Sequence, residues 1–154
     1  QNSGESDIVQ AIVDWYGPVD VNEMEIAFTE DACKVEYSEL ADAYRDNSNF
    51  EITYAWSRWL GGPLDNKTVQ ERARKASPLS YLDGGDPPVL IIHGADDPLV
   101  PTEQHKILAE ALKAKGIRST LITLPGVGHS YGSSSNPNAN FLVSSLSFLD
   151  LYLK

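Results

Sequence analysis

The chain has 154 residues, 42% of them apolar, which suits one globular core or a piece of one and does not suggest disorder. Twelve Lys and Arg stand against 22 Asp and Glu, and the net charge of -10 repels a phosphate backbone, so nucleic acid and anionic membrane surfaces are poor partners. A single cysteine, Cys33, cannot close an internal disulfide, and no Cys/His spacing suits a structural zinc. No apolar run reaches the roughly 18 to 20 residues of a membrane span.

The N-terminus, Gln1-Asn2-Ser3-Gly4, has neither an initiator Met nor a signal-peptide pattern, as expected of a processed or truncated product. Residues 9–18 form a short apolar run closed by Gly17-Pro18, which predicts a strand. Residues 20–76 are acidic and aromatic, with Trp56 and Trp59 among charges and a helix-like stretch stopping at Gly61-Gly62-Pro63. That length is too great for a bare connection and predicts a helical insertion. After Pro87-Pro88, the unbroken run Val89-Leu90-Ile91-Ile92 suits a strand covered on both faces of a parallel sheet.

Pro101-Thr102-Glu103 opens a helix with Ile107, Leu108, Ala111 and Leu112 on its apolar face, ended by Gly116, and His105 falls on its polar side. His93 reads as a structural residue closing its strand with Gly94. Residues 119–124 predict a further strand, and residues 141–153 an amphipathic helix turned inward by Leu142, Leu146, Phe148, Leu149 and Tyr152. Alternating strands and helices with short links indicate α/β architecture with right-handed crossovers.

Open parallel sheets place their chemistry at the carboxyl ends of the strands. Asp97 comes five residues after Ile92 and His129 five after Leu124, so both can project from loops over the same sheet edge. A buried carboxylate on imidazole Nδ1 fixes the tautomer and leaves Nε2 to take a proton from a nucleophilic hydroxyl. The plainer alternatives stay open here: a turn or N-cap carboxylate for Asp97, a solvated loop histidine for His129. The glycines of Gly126-Val127-Gly128 favour a special backbone path before His129.

Several segments in order carry a resemblance: Leu60-Gly61-Gly62-Pro63, Ala76-Ser77-Pro78-Leu79-Ser80-Tyr81, the stretch from Pro87 to Gly94, Asp97-Pro98-Leu99-Val100-Pro101 and Pro125-Gly126-Val127-Gly128-His129. The span from Trp59 to His129 resembles the α/β-hydrolase superfamily, and within it the bacterial esterase and lipase group that includes feruloyl and acetylxylan esterases. Trp15-Tyr16-Gly17-Pro18-Val19-Asp20 extends the likeness to the first strand.

The resemblance implies that residues 1–154 are the C-terminal part of such a fold, about three parallel strands with flanking helices, with residues 20–76 as a helical cap. It implies Asp97 as triad acid, chosen over Asp96 by its place three residues before Val100-Pro101, and His129 as general base. Trp15, Tyr16, Trp56 and Trp59 become candidate walls of a substrate pocket. A small-molecule ester is the expected substrate, carbohydrate-linked esters included, with no metal or cofactor.

Gly128-His129-Ser130-Tyr131-Gly132 matches the nucleophile-elbow pattern G-x-S-x-G. It fails on order, because acid and histidine should follow the elbow, and no histidine follows Ser130. The nucleophile is therefore expected in a missing N-terminal half, leaving this chain inactive alone and with an apolar sheet edge to be covered by that half or by self-association. A non-catalytic interaction module on the same scaffold and a peptidase of related fold are the rival expectations.

Overall fold

The computed structural model describes residues 8–28, 59–62, 65–97, 100–129 and 141–153. Cys33, Trp56, Ser130 and most of the expected cap lie outside them. In chain order the elements are β1 (Ile12–Trp15), α1 (Val21–Phe28), α2 (Lys67–Ala76), a 3-10 turn (Pro78–Tyr81), β2 (Val89–Gly94), α3 (Thr102–Ala114), β3 (Ser119–Leu124) and α4 (Phe141–Tyr152). The strands form one parallel sheet in the order β1-β2-β3. The protein is thus α/β, with three parallel strands and flanking helices among the described residues, as the sequence predicts. Among the described residues no helix is long and apolar enough to cross a membrane.

Central β2 is buried at every residue, the condition that its unbroken apolar run demands. Strand alternation then sorts the side chains to two faces. Val89 and Ile91 pack with Leu108 and Leu112 of α3 and with Val19 and Ile117. The register sets Asp14 beside Ile91 and Trp15 beside Ile92, so Asp14 shares the α3 face and Trp15 the opposite one. There the Trp15 indole donates to Ser145 Oγ at 3.0 Å and meets the Phe141 ring edge-on at 5.0 Å, both on α4.

A second cluster, Val21, Leu60, Val69 and Ala73, joins α1 to α2. Two buried polar side chains tie it to the sheet by satisfying backbone groups at the chain's exit from β1. Gln104 Oε1 accepts from the N–H groups of Val19 and Asp20 at 3.0 and 2.7 Å. Ser77 Oγ accepts from Val21 N–H at 2.9 Å and donates to the Ala73 carbonyl at 2.7 Å.

Two helical faces differ from expectation. His105 is buried, 1% exposed, because α3 turns Gln104, His105, Leu108 and Leu112 inward and the His105 ring finds a carboxylate across the interface. On α4 the inward residue is Ser145, a hydrogen-bond partner for Trp15, while Leu142 and Leu146 are 53% and 55% exposed. Hydrophobicity alone points those leucines inward, and the Trp15 indole N–H selects the other face. Val143, Leu151 and Leu153 add to this exposed apolar surface, as does Ile12 at the β1 edge.

β1 is also shorter than the run in residues 9–18. Tyr16 takes a left-handed φ of 47°, and Gly17 N–H turns back to Asp14 Oδ1 at 3.0 Å, so the ladder ends there.

At the end of β2, Gly94 lies under the backbone of the loop after β3. A Cβ on Gly94 would collide with the carbonyls of Val127 and Gly128. Val127 is fully buried, and its carbonyl accepts from Asp96 N–H at 3.0 Å, so that loop has little room to move. Gly94→Ala is therefore expected to cost about 1–3 kcal/mol of stability through overpacking, read as a lowered midpoint in urea unfolding; an unchanged midpoint contradicts the close approach.

Candidate active site

The carboxyl ends of the three strands each deliver one residue to the site. β1 leads into Tyr16, whose N–H makes the last hydrogen bond to β2, to the Ile92 carbonyl at 3.1 Å. β2 leads into the turn that ends at Asp97, where Asp97 N–H returns to the Gly94 carbonyl at 3.4 Å. β3 leads through Pro125 and Gly126, at φ 72°, and the buried Val127 to His129. Left-handed φ at Gly126 is open to glycine without the steric cost that another residue bears.

Asp97 and His129, 32 positions apart, meet. His129 Nδ1 lies 2.9 Å from Asp97 Oδ2 and 3.2 Å from Oδ1. The Asp97 side chain is fully buried and the His129 side chain is 32% exposed. An ionised carboxylate only accepts, so His129 Nδ1 carries the proton in this pair, which leaves Nε2 as the basic nitrogen. Adjacent Asp96 is exposed, which separates the two candidate acids.

Asp97 also serves its own turn: Oδ1 accepts from Val100 N–H at 2.9 Å. The N-cap position of α3 belongs to Pro101, without a side-chain cap. The turn role and the pairing with His129 are thus compatible, with the local hydrogen bond orienting the carboxylate.

Behind this pair stands a layer that sequence reading missed. His93, fully buried, places Nε2 2.7 Å from the Val100 carbonyl and 3.3 Å from Asp97 Oδ2. Its Nδ1 lies 3.4 Å from His105 Nε2, the rings being 3.9 Å apart between centroids. His105 Nε2 in turn lies 3.1 Å from Asp14 Oδ2. Strand parity was the available signal, because His93 is two and four residues from Ile91 and Val89 on the α3 face. Asp14, an acid in an otherwise apolar strand, falls on the same face.

The aromatic candidates separate. The Tyr16 ring lies on His129, with centroids 4.6 Å apart and planes inclined by 51°. Trp15 is engaged by α4 as described, and Trp59 is 64% exposed beside Leu60. Among the described residues no group of three or more His, Cys, Asp and Glu could hold a metal ion.

Burial lowers the His93 pKa from 6.5 to about 4, reinforced by His105 and opposed by Asp97. The unfolded chain binds that proton at the ordinary value, so stability should fall as pH drops below about 6.5, the loss levelling off below about 4. His93→Gln, which cannot titrate, should flatten this part of a plot of melting temperature against pH; an identical slope in the variant would show that His93 is not its source.

Residues 1–112 match the family model described as BD-FAE. Esterase LipC of Mycobacterium tuberculosis is 37% identical over 73 residues, which are 44% of this chain and 18% of that protein. A solved structure described as a truncated form of carbohydrate esterase from gut microbiota has a TM-score of 0.55 at 23% identity, over 90% of this chain and 42% of that one. Another, a puromycin-hydrolyzing peptidase of Mycobacterium tuberculosis, reaches a TM-score of 0.66 at 22% identity, over 97% of this chain and 19% of that one. The chain thus spans less than half the length of each of these relatives. It has the α/β-hydrolase fold, and with a family match over residues 1–112 the chain belongs to the BD-FAE family, among esterase- and peptidase-like hydrolases.

Proposed function

We propose that this chain supplies the acid and the general base of a serine ester hydrolase. One observation carries the reading: a buried carboxylate, Asp97, on Nδ1 of a partly exposed imidazole, His129, at 2.9 Å and at the carboxyl ends of adjacent parallel strands. In the proposed reaction His129 Nε2 takes the proton of a serine hydroxyl as its oxygen attacks the ester carbonyl carbon. Collapse of the tetrahedral adduct breaks the bond to the alkoxy oxygen, which leaves as the alcohol with the proton from Nε2. Water, deprotonated by the same nitrogen, then attacks the acyl-enzyme, releasing the acid and restoring the serine.

The serine itself is proposed to precede these residues in a longer protein, since acid and base follow the nucleophile in this superfamily. Residues 1–154 are then a partial hydrolase domain with residues 20–76 as its cap. The exposed apolar residues of α4 and the β1 edge suit packing against that preceding part or against a second copy. Tyr16 is the proposed pocket wall nearest the chemistry, since its ring lies on His129, with Trp59 in the cap segment.

Small-molecule esters are the proposed substrate class, in line with a relative named as an esterase. Carbohydrate-linked esters come first among them because a protein of like fold is described as a carbohydrate esterase.

In the full-length protein, His129→Ala should lower kcat/KM for a simple aryl acetate by about 10³-fold or more, and Asp97→Asn by a comparable factor. Steady-state assays against esters and a peptide substrate in parallel check this. Unchanged ester turnover in His129→Ala would remove the assigned base, and turnover of peptide alone would replace esterase by peptidase.

A further inference from the structure

We propose that His93 is a positioning residue: as a neutral Nε2–H imidazole wedged between Val100 and Asp97, it holds the carboxylate that fixes the tautomer of His129. The role deepens the reading above and rests on it for its catalytic meaning, while the ring geometry stands independently.

The proton positions follow from donor and acceptor chemistry. The Val100 carbonyl only accepts, and at 2.7 Å it requires a proton on His93 Nε2. That same N–H faces Asp97 Oδ2 at 3.3 Å, the oxygen that His129 Nδ1 approaches at 2.9 Å. A neutral His93 therefore has a bare Nδ1, which needs a donor. His105 Nε2, 3.4 Å away, is placed to supply it if it too bears the proton.

Asp14 settles that second ring. Its Oδ2 lies 3.1 Å from the same His105 nitrogen and, as a carboxylate, only accepts. Among the described residues His105 Nδ1 is buried without a hydrogen-bond partner, tolerable for a lone pair and costly for an N–H. Both buried rings are thus Nε2–H tautomers, with His105 Nε2–H shared between Asp14 Oδ2 and His93 Nδ1 and His93 Nε2–H between the Val100 carbonyl and Asp97 Oδ2.

The titratable groups facing His93 are Asp14 from β1, His105 from α3 and Asp97 from the turn after β2. Their order gives Asp97 a donor from inside the protein opposite to the one from His129. With Val100 N–H on Oδ1, the carboxylate is held on both oxygens by the chain's interior before His129 is counted. Removing the His93 donor frees one of these oxygens and weakens the grip on His129 Nδ1–H.

The test reads tautomers directly. This chain has three histidines, so long-range nitrogen-proton NMR of histidine-labelled chain at about pH 8 resolves three imidazoles. The expected spectrum has His93 and His105 as Nε2–H and His129 as Nδ1–H. In His93→Leu the His129 ring should lose its Nδ1–H dominance and move toward the Nε2–H form that unconstrained histidine prefers. In His93→Gln, whose amide can donate from the same region, it should stay Nδ1–H.

An Nδ1–H tautomer for His93 in the unsubstituted chain would overturn the proposal. So would a folded His93→Leu chain with the His129 tautomer unchanged. If His93→Leu fails to fold, the unsubstituted spectrum and His93→Gln decide, with loss of the His129 Nδ1–H form in the Gln variant counting against the role. None of these readouts requires turnover, so an absence of esterase activity in the full-length protein would contradict the function and leave the tautomers as expected.

Discussion

The Asp97 carboxylate is the point on which the site depends. A charge withdrawn from water has to be matched by donors at close range, and the cost of leaving it unmatched exceeds what any single surface contact returns. Here the donors come from separate parts of the chain: Val100 N–H from the turn, His129 Nδ1 from the loop after β3, His93 Nε2 from the end of β2. Satisfying one buried charge therefore fixes the relative positions of two strand ends. Gly94 makes this possible, since any larger residue would hold the His129 loop away from β2.

Much of the scaffold was legible because its signals are local. The bounds of β3 match the apolar stretch 119–124, and α3 opens where Pro101-Thr102-Glu103 announces it. The run Val89-Leu90-Ile91-Ile92 identified the buried central strand, and the spacing of Asp97 and His129 from the strand ends placed both at one edge. What was not legible required knowing which elements face each other. His105 reads as polar on a helical wheel, yet it is inside because Asp14 lies across from it. Leu142 and Leu146 read as core, yet Ser145 takes the inward position because Trp15 brings an N–H that must be satisfied.

The same sheet parity separates Trp15 from Tyr16, although both were candidate pocket walls. Neighbouring residues on a strand serve opposite faces, so Trp15 secures α4 while Tyr16, at the strand end, lies against the His129 ring. Gln104 and Ser77 illustrate a further limit of sequence reading. Each looks like an unremarkable polar residue on or beside a helix, and each caps backbone groups of a remote segment just after β1. Their role depends on tertiary placement and has no local signature.

In a family of esterase- and peptidase-like hydrolases, this architecture brings Asp97 and His129, the proposed acid and base, together just beyond the ends of neighbouring strands, with a buried histidine layer behind them. On the proposed reading Asp97 acts through His129 and has no separate contact with the reaction. A double-mutant cycle on kcat/KM in the full-length protein tests it, using Asp97→Asn, His129→Ala and both together. If the two work as a unit, the double variant will be no slower than His129→Ala alone. Losses that multiply would contradict it, assigning Asp97 a contribution independent of the imidazole.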